Sequence, residues 1–227
     1  MSDTAQPRSD HADGPAQGLR ERKKRLLRQQ LSDTATRLFM EQGFEAVRVA
    51  DVAEACGVSE ATVFNHFSTK EALVLDRLEA TMASLPAGLA SPGLTPIEAA
   101  LRMLADELVH MTDLLASRDD PRGAAKEVLR FGDLIRATPS LRAYQSDMMD
   151  QFVSVAADIL AARAGLSPDD PEPQIAARAL LGLWHVQAQS LRKHLAATPL
   201  DRIHQEVIAD VRRAAHVIGV GLDSLRA

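Results

Sequence analysis

The sequence predicts an all-α fold, and three observations carry that prediction. Aromatic residues make up only 4% of the 227 positions while Ala and Leu dominate, which leaves few of the β-branched and aromatic residues that favour strands. No stretch of useful length alternates apolar and polar residues. Threonine–proline pairs recur at Thr95-Pro96, Thr138-Pro139 and Thr198-Pro199, each a capping residue before a proline suited to a first helical turn.

In chain order, residues 1–18 are rich in Ser, Asp, Gly, Pro and Gln and read as a disordered tail. A helix follows over Leu19–Gln42. Its basic start gives way to an apolar stripe of Leu27, Leu31, Thr34, Leu38 and Phe39, and Gly43 ends it. Over Val49–Phe67, Val49, Val52 and Ala53 recur at helical spacing until Gly57 interrupts them. Glycine takes the left-handed conformation that ends a helix without a side-chain clash. Ser59 is placed to cap the next helix, expected from Glu60 to Phe67 with Val63 and Phe67 on its apolar face. A small residue, a glycine four later and a branched apolar residue six after that make the spacing of a helix-turn-helix.

Ser68 to Glu71 reads as a capping box with Ser68 as the cap, opening a helix over Thr69–Leu85. The stretch Pro86–Pro96 reads as the domain boundary, and five further helices are expected at 96–116, 122–137, 139–164, 172–196 and 199–220. The expected domains are therefore 19–85, with the helix-turn-helix at about 47–67, and 95–227. No internal repeat supports a solenoid.

The formal net charge is −5, which by itself argues against a nucleic-acid partner. Its distribution argues the other way, because Arg20, Arg22, Lys23, Lys24, Arg25 and Arg28 crowd into nine positions. A basic first helix ending in Gly43-Phe44, the 49–67 hairpin and the segment FSTKEAL at 67–73 together resemble the N-terminal domain of the TetR/AcrR family of bacterial transcriptional regulators. The resemblance covers about residues 20–85. It implies a double-stranded, pseudo-palindromic DNA operator read by a homodimer, with a helical ligand-binding and dimerisation domain downstream.

The residues suit that role on chemical grounds. Glu60, Ala61, Thr62, Asn65 and His66 are presented away from the Val63 and Phe67 face. Thr62 and Asn65 can reach base edges or phosphates, and Ala61 can pack on a thymine methyl. Lys70 at the start of the fourth helix makes a phosphate site, and Arg22, Lys23 and Lys24 can lie along the backbone without reading sequence. Three positions depart from the family pattern. Arg48 stands where a capping threonine is common and can itself reach a phosphate. Phe64 replaces a tyrosine and lacks its hydroxyl. Glu60 repels phosphate but can accept from a cytosine amino group. The expected DNA-contacting set is Arg22, Lys23, Lys24, Arg48, Ser59, Glu60, Ala61, Thr62, Phe64, Asn65, His66 and Lys70.

Downstream, methionines are frequent. Met103, Met111 and Met148, with Phe131 and Phe152, suit either ordinary core filling or an adaptable apolar cavity. Trp184 and His185, followed by Gln187 and Gln189, can orient a ligand or simply belong to the core. Arg130 can neutralise an acidic ligand or pair with Asp133. These eight residues, Met103 through His185, form the expected site of a small-molecule effector of unknown identity, with an apolar or acyl-like one as the first guess. Ala176, Ala179, Gly182 and Leu183, with Ile203, Val207, Val211, Ala214, Ala215 and Ile218, give the last two helices apolar faces for a homodimeric four-helix bundle.

An enzyme is not expected. Cys56 lies on the packed hairpin, the histidines show no metal-ligand spacing, and glycine-rich phosphate loops and G-x-S-x-G turns are missing. No catalytic residue, metal or cofactor is assigned. One cysteine and no long apolar stretch or leader-like start point to the cytoplasm without a membrane partner. The sequence thus predicts a homodimeric repressor released from its operator by a small apolar ligand. The alternatives are a DNA-binding regulator that senses nothing and a helical ligand-binding protein that does not bind DNA. In the favoured mechanism the ligand prefers a conformer whose recognition helices are wrongly spaced, with the fourth helix carrying the shift.

Overall fold

The computed structural model describes residues 14–221, and every element among them is helical. The expected tail lies outside the described residues up to position 13. The helices run α1 (Gly14–Gln42), α2 (Val49–Cys56), α3 (Glu60–Phe64), α4 (Lys70–Ala83), α5 (Leu85–Leu89), α6 (Pro96–Ala116), α7 (Pro121–Ala137), α8 (Pro139–Ala164), α9 (Pro171–Ala197) and α10 (Leu200–Val220). Helix α1 begins five residues before its expected start. Pro15 falls in its first turn, where a missing N–H costs nothing, and no residue after it breaks the helix. By packing, the chain divides between Val74 and Leu75, within α4.

The N-terminal unit buries one stripe of α1 against the hairpin. Leu31, Ala35, Leu38 and Phe39 supply that stripe, and Val47, Val52, Ala53, Val63 and Phe67 meet it. The stripe passes through Ala35 and leaves Thr34 only half-buried. The rings of Phe39 and Phe44 tilt at 52° with centroids 5.0 Å apart, a favoured aromatic geometry. Ser32, itself buried, donates to the Leu73 carbonyl at 3.0 Å.

The C-terminal unit packs α5 to α10 around Leu85, Leu89, Leu104, Leu108, Ala156, Leu180, Trp184, Val207 and Val211. The stretch expected as a boundary belongs to this unit. Leu85 and Leu89 are fully buried, so residues 85–89 form the short helix α5 rather than a linker. Arg163 donates to the carbonyls of Leu89 and Leu94 and fixes the connection to α6.

Of the three threonine–proline pairs, only Thr95 caps as expected. Its hydroxyl accepts from the Glu98 N–H at 3.2 Å, and the Glu98 carboxylate accepts from the Thr95 N–H at 2.8 Å. Thr138 makes no side-chain cap bond. Thr198 lies one residue outside the Pro199 cap position of α10, and its hydroxyl meets His194 Nδ1 at 3.1 Å instead.

The faces expected to associate are mostly used within the protomer. Leu183, Ile203, Val207, Val211 and Ala215 are all 3% exposed or less, because α10 packs on both α9 and α6. Ala176, Ala179, Gly182, Ala214 and Ile218 remain only partly covered.

Candidate nucleic-acid interface

The turn between α2 and α3 follows from its sequence. Gly57 adopts φ 68°, and the Val58 N–H returns to the Ala53 carbonyl at 3.0 Å. Ser59 caps α3, accepting from the Thr62 N–H at 3.1 Å, and its hydroxyl also meets that of Thr62 at 2.9 Å. The helix itself is short. It ends at Phe64 with Asn65 as its cap, while His66 and Phe67 close back on the Val63 carbonyl.

Around Val63, the exposed positions are Ser59, Glu60, Ala61, Phe64 and Asn65, and Phe64 is 50% exposed. Thr62 and His66 are half-buried. His66 Nδ1 is enclosed without a partner. Burial, then the charges of Lys24 and Arg28, hold the imidazole below the ordinary histidine range, so it is neutral near pH 7. Arg22, Lys23 and Lys24 are exposed on α1, before its packed stripe begins. Arg28 differs from that group. It donates to the His66 carbonyl and sits 4.3 Å over the Phe67 ring, pinning α1 to the end of the hairpin.

Two basic residues sit differently from a simple phosphate-binding reading. Lys70 donates to the Phe44 carbonyl and lies 4.3 Å over the Phe44 ring and 5.5 Å from the Phe39 ring. Its ammonium is folded onto the turn after α1. Arg48 occupies the cap of α2, but a guanidinium has no acceptor, so half of a capping box is chemically impossible there. The other half forms, with the Arg48 N–H donating to Asp51 at 2.7 Å. The Arg48 side chain also forks onto the same carboxylate, at 2.9 and 3.4 Å. That pairing holds the Asp51 carboxyl below the ordinary aspartate range. At the start of α4 the cap is Thr69, whose hydroxyl accepts from the Ala72 N–H at 3.1 Å, and not the expected Ser68. Cys56 is half-buried, its thiol 3.9 Å from the Gln30 carbonyl.

In the C-terminal unit the eight expected effector residues do not share one cavity. Phe131 and His185 line an open groove of about 1240 Å³ among α7, α9 and α10. Met103 lines a second groove of about 580 Å³ between α5 and α6. Met111 and Phe152 pack against the hydrophobic core, and Met148 is buried. Trp184 and His185 diverge by one helical step. Trp184 enters the core and donates to Glu107 Oε2 at 3.2 Å, whereas His185 is exposed and accepts from the Gln189 amide at 2.6 Å. Gln187 turns inward, leaving its Oε1 buried without a partner. Arg130 is exposed on α7, and the nearby Asp133 is met by Arg136 and, at 3.9 Å, by Arg192.

Sequence reasoning missed two clusters. Asp210 accepts from Ser190 at 2.7 Å, Arg213 at 2.7 Å and His194 at 3.2 Å, tying α10 to α9. The Ser190 bond, with those from His194 and the nearby cations, holds the Asp210 carboxyl below the ordinary range. Glu107 is the second, a carboxylate adjoining the Leu104–Leu108 apolar face, which was the available signal. Among the described residues, no group of three or more His, Cys, Asp or Glu can hold a metal ion, and no helix is long and apolar enough to cross a membrane.

Comparison with known proteins accords with this arrangement. Residues 31–76 match the family of bacterial regulatory proteins of the tetR type, and residues 100–215 match the MftR C-terminal domain family. The HTH-type transcriptional regulator TcmR of Streptomyces glaucescens is 31% identical over 225 residues, spanning 93% of this chain and 96% of that protein. The transcriptional regulator MftR of Mycobacterium tuberculosis is 30% identical over 195 residues, 86% of this chain and 90% of that protein. Among solved structures, NalD of Pseudomonas aeruginosa, the secondary repressor of the MexAB-OprM multidrug efflux pump, superposes with a TM-score of 0.49 at 22% identity. That match covers 84% of this chain and 97% of NalD. Over most of its length the chain is matched by transcriptional regulators, and its two family matches follow one another in the order of its two units, so this chain belongs to the TetR family as a DNA-binding transcriptional regulator.

Proposed function

We propose that the chain acts in the cytoplasm as a homodimeric repressor that releases a pseudo-palindromic operator when a small molecule occupies its C-terminal unit. The observation that carries the DNA part is the exposure of Glu60, Ala61, Phe64 and Asn65 on a capped, glycine-set helix. In this reading Asn65 and Ala61 meet base edges, while Thr62 and Ser59 serve phosphates and Arg48 reaches one only by turning away from Asp51. The neutral His66 acts as a hydrogen-bonding group and not as a charge. Arg22, Lys23 and Lys24 supply affinity without sequence preference. Lys70 acts through the turn it holds, and reaches a phosphate only by leaving Phe44.

The homodimer rests on a narrower face than the sequence expects. Ile175, Ala179, Gly182 and Val186 recur at helical spacing on α9 and stay partly or fully exposed, with Ile175 at 67%. Release needs only that the ligand bind better to a conformer unable to hold DNA.

The test is binding of the purified chain to DNA flanking its own gene, and to a random-sequence pool, titrated with salt. Tight binding whose affinity falls steeply with salt, and which the Asn65→Ala, His66→Ala variant loses, supports the reading. Failure on both DNA sources overturns it.

A further inference from the structure

We propose that Glu107 is the recognition point for an effector carrying a protonated amine on a compact apolar body, taken into the groove between α5 and α6. This deepens the effector reading above and rests on it.

The argument begins with an unmatched charge. Asp210 is met by a hydroxyl, an imidazole and two cations. Asp133 has Arg136, and Glu206 has Arg202 at 2.8 Å. Glu107 is half-buried yet has no cation, and its one partner among the described residues is the Trp184 N–H on Oε2. Oε1 accepts nothing from them, although the residue lines the groove. A carboxylate withdrawn from water without a cation is costly, so a site that keeps one is poised to accept a charge that arrives from outside.

The surroundings define the rest of the ligand. Leu94, Ala87, Ala99 and Met103 give the groove apolar walls, and about 580 Å³ suits a small compact body. Gly88 leaves room for the Met103 side chain, whose sulfur would lie 2.2 Å from a Cβ at that position. The thioether beside it is flexible and can refit around a guest. Beside His110, Asp106 and Glu107 outnumber Arg102 in the groove, which favours a cationic over an anionic ligand. Burial raises the Glu107 carboxyl above the ordinary range in the free protein. An ammonium against it reverses that shift, so binding expels a proton wherever Glu107 was still protonated.

Trp184 is the only tryptophan in the chain and already touches the proposed contact, so its emission reports occupancy. The probes are 1-adamantanamine and, as the anionic counterpart of the same bulk, adamantane-1-carboxylate. The amine is expected to change Trp184 emission saturably, and the carboxylate to leave it unchanged. Glu107→Gln keeps an acceptor for the indole N–H and removes the charge, and should weaken the amine by about tenfold or more, the worth of one charge-assisted hydrogen bond. Equilibrium dialysis of the same amine repeats the comparison without the optical probe. No saturable binding by either method, equal affinity of wild type and Glu107→Gln, or tighter binding of the carboxylate each overturns the proposal. Salt-dependent DNA binding is followed on both proteins throughout. If it persists while the amine fails, only this inference falls. If the amine binds through Glu107 and DNA is never released, the site stands and the effector reading falls.

Discussion

Asp210 and Glu107 are carboxylates in the same unit with opposite pH behaviour. Asp210 is stabilised as the anion by Ser190, His194 and nearby cations, which lowers its pKa. Its contribution to stability is therefore complete above the ordinary aspartate value and is lost as pH falls through the lowered one. Glu107 is raised by burial, so its contribution is complete below the ordinary glutamate value and is lost as pH rises through the raised one. Asp210→Ala leaves the Ser190 hydroxyl and the His194 N–H without their acceptor, both on residues at most 8% exposed. The expected cost is about 1–3 kcal/mol at neutral pH. Compared at pH 7 and at an acid pH, the urea midpoints should draw closer to those of wild type at the acid end, as the native aspartate loses its advantage on passing through its lowered value. A constant gap between the two proteins at both pH values would show that the loss is one of packing instead.

At the scale of elements, caps decide where helices begin, and α4 offers a clean discrimination. Thr69 accepts from the Ala72 N–H, whereas Ser68 is exposed one residue earlier. Thr69→Ala should cost about 1 kcal/mol of stability. Ser68→Ala should stay within about 0.5 kcal/mol, the usual span for surface substitutions. Chemical denaturation of both variants checks this, and the reverse order would reinstate Ser68 as the cap. Spacing alone did not distinguish them, because both hydroxyls precede a helix former with Glu71 nearby, and only the start of α4 at Lys70 settles which is three residues before a free N–H. Thr198 is a similar case. Its motif matches that of Thr95, but His194 takes its hydroxyl, a competition invisible in a local reading.

For the whole molecule, association is the open quantity, and Gly182 isolates it. Nothing lies within 4 Å of a Cβ added at Gly182, so the protomer accepts a side chain there. Replacing a mid-helix glycine also favours the helix by up to about 1 kcal/mol. Gly182→Lys is therefore expected to fold as well as wild type or better while dissociating the proposed dimer, because a charged side chain then stands in the close-packed stripe. Sedimentation equilibrium reads the association and thermal unfolding at low concentration reads the protomer. An unchanged mass would move the interface away from Ile175–Val186, toward the α7–α9–α10 groove.

What the sequence determined by itself was the order and type of the elements apart from the short α5, the helix-turn-helix, and the family they resemble. Those features rest on local rules: Gly57 at positive φ, Ser59 and Thr95 as caps, prolines in first turns and 3.6-residue apolar spacing are each written within a few neighbouring residues. Only the tertiary structure decided which polar groups face one another. It folded Lys70 onto Phe44, sent Trp184 inward to Glu107 and His185 outward to Gln189, and spent the apolar face of α10 inside its own protomer. The physical reason is distance along the chain. Glu107 and Trp184 are 77 residues apart and Lys70 and Phe44 are 26 apart, so no period of helix or turn relates them. Their meeting is fixed by how whole helices pack.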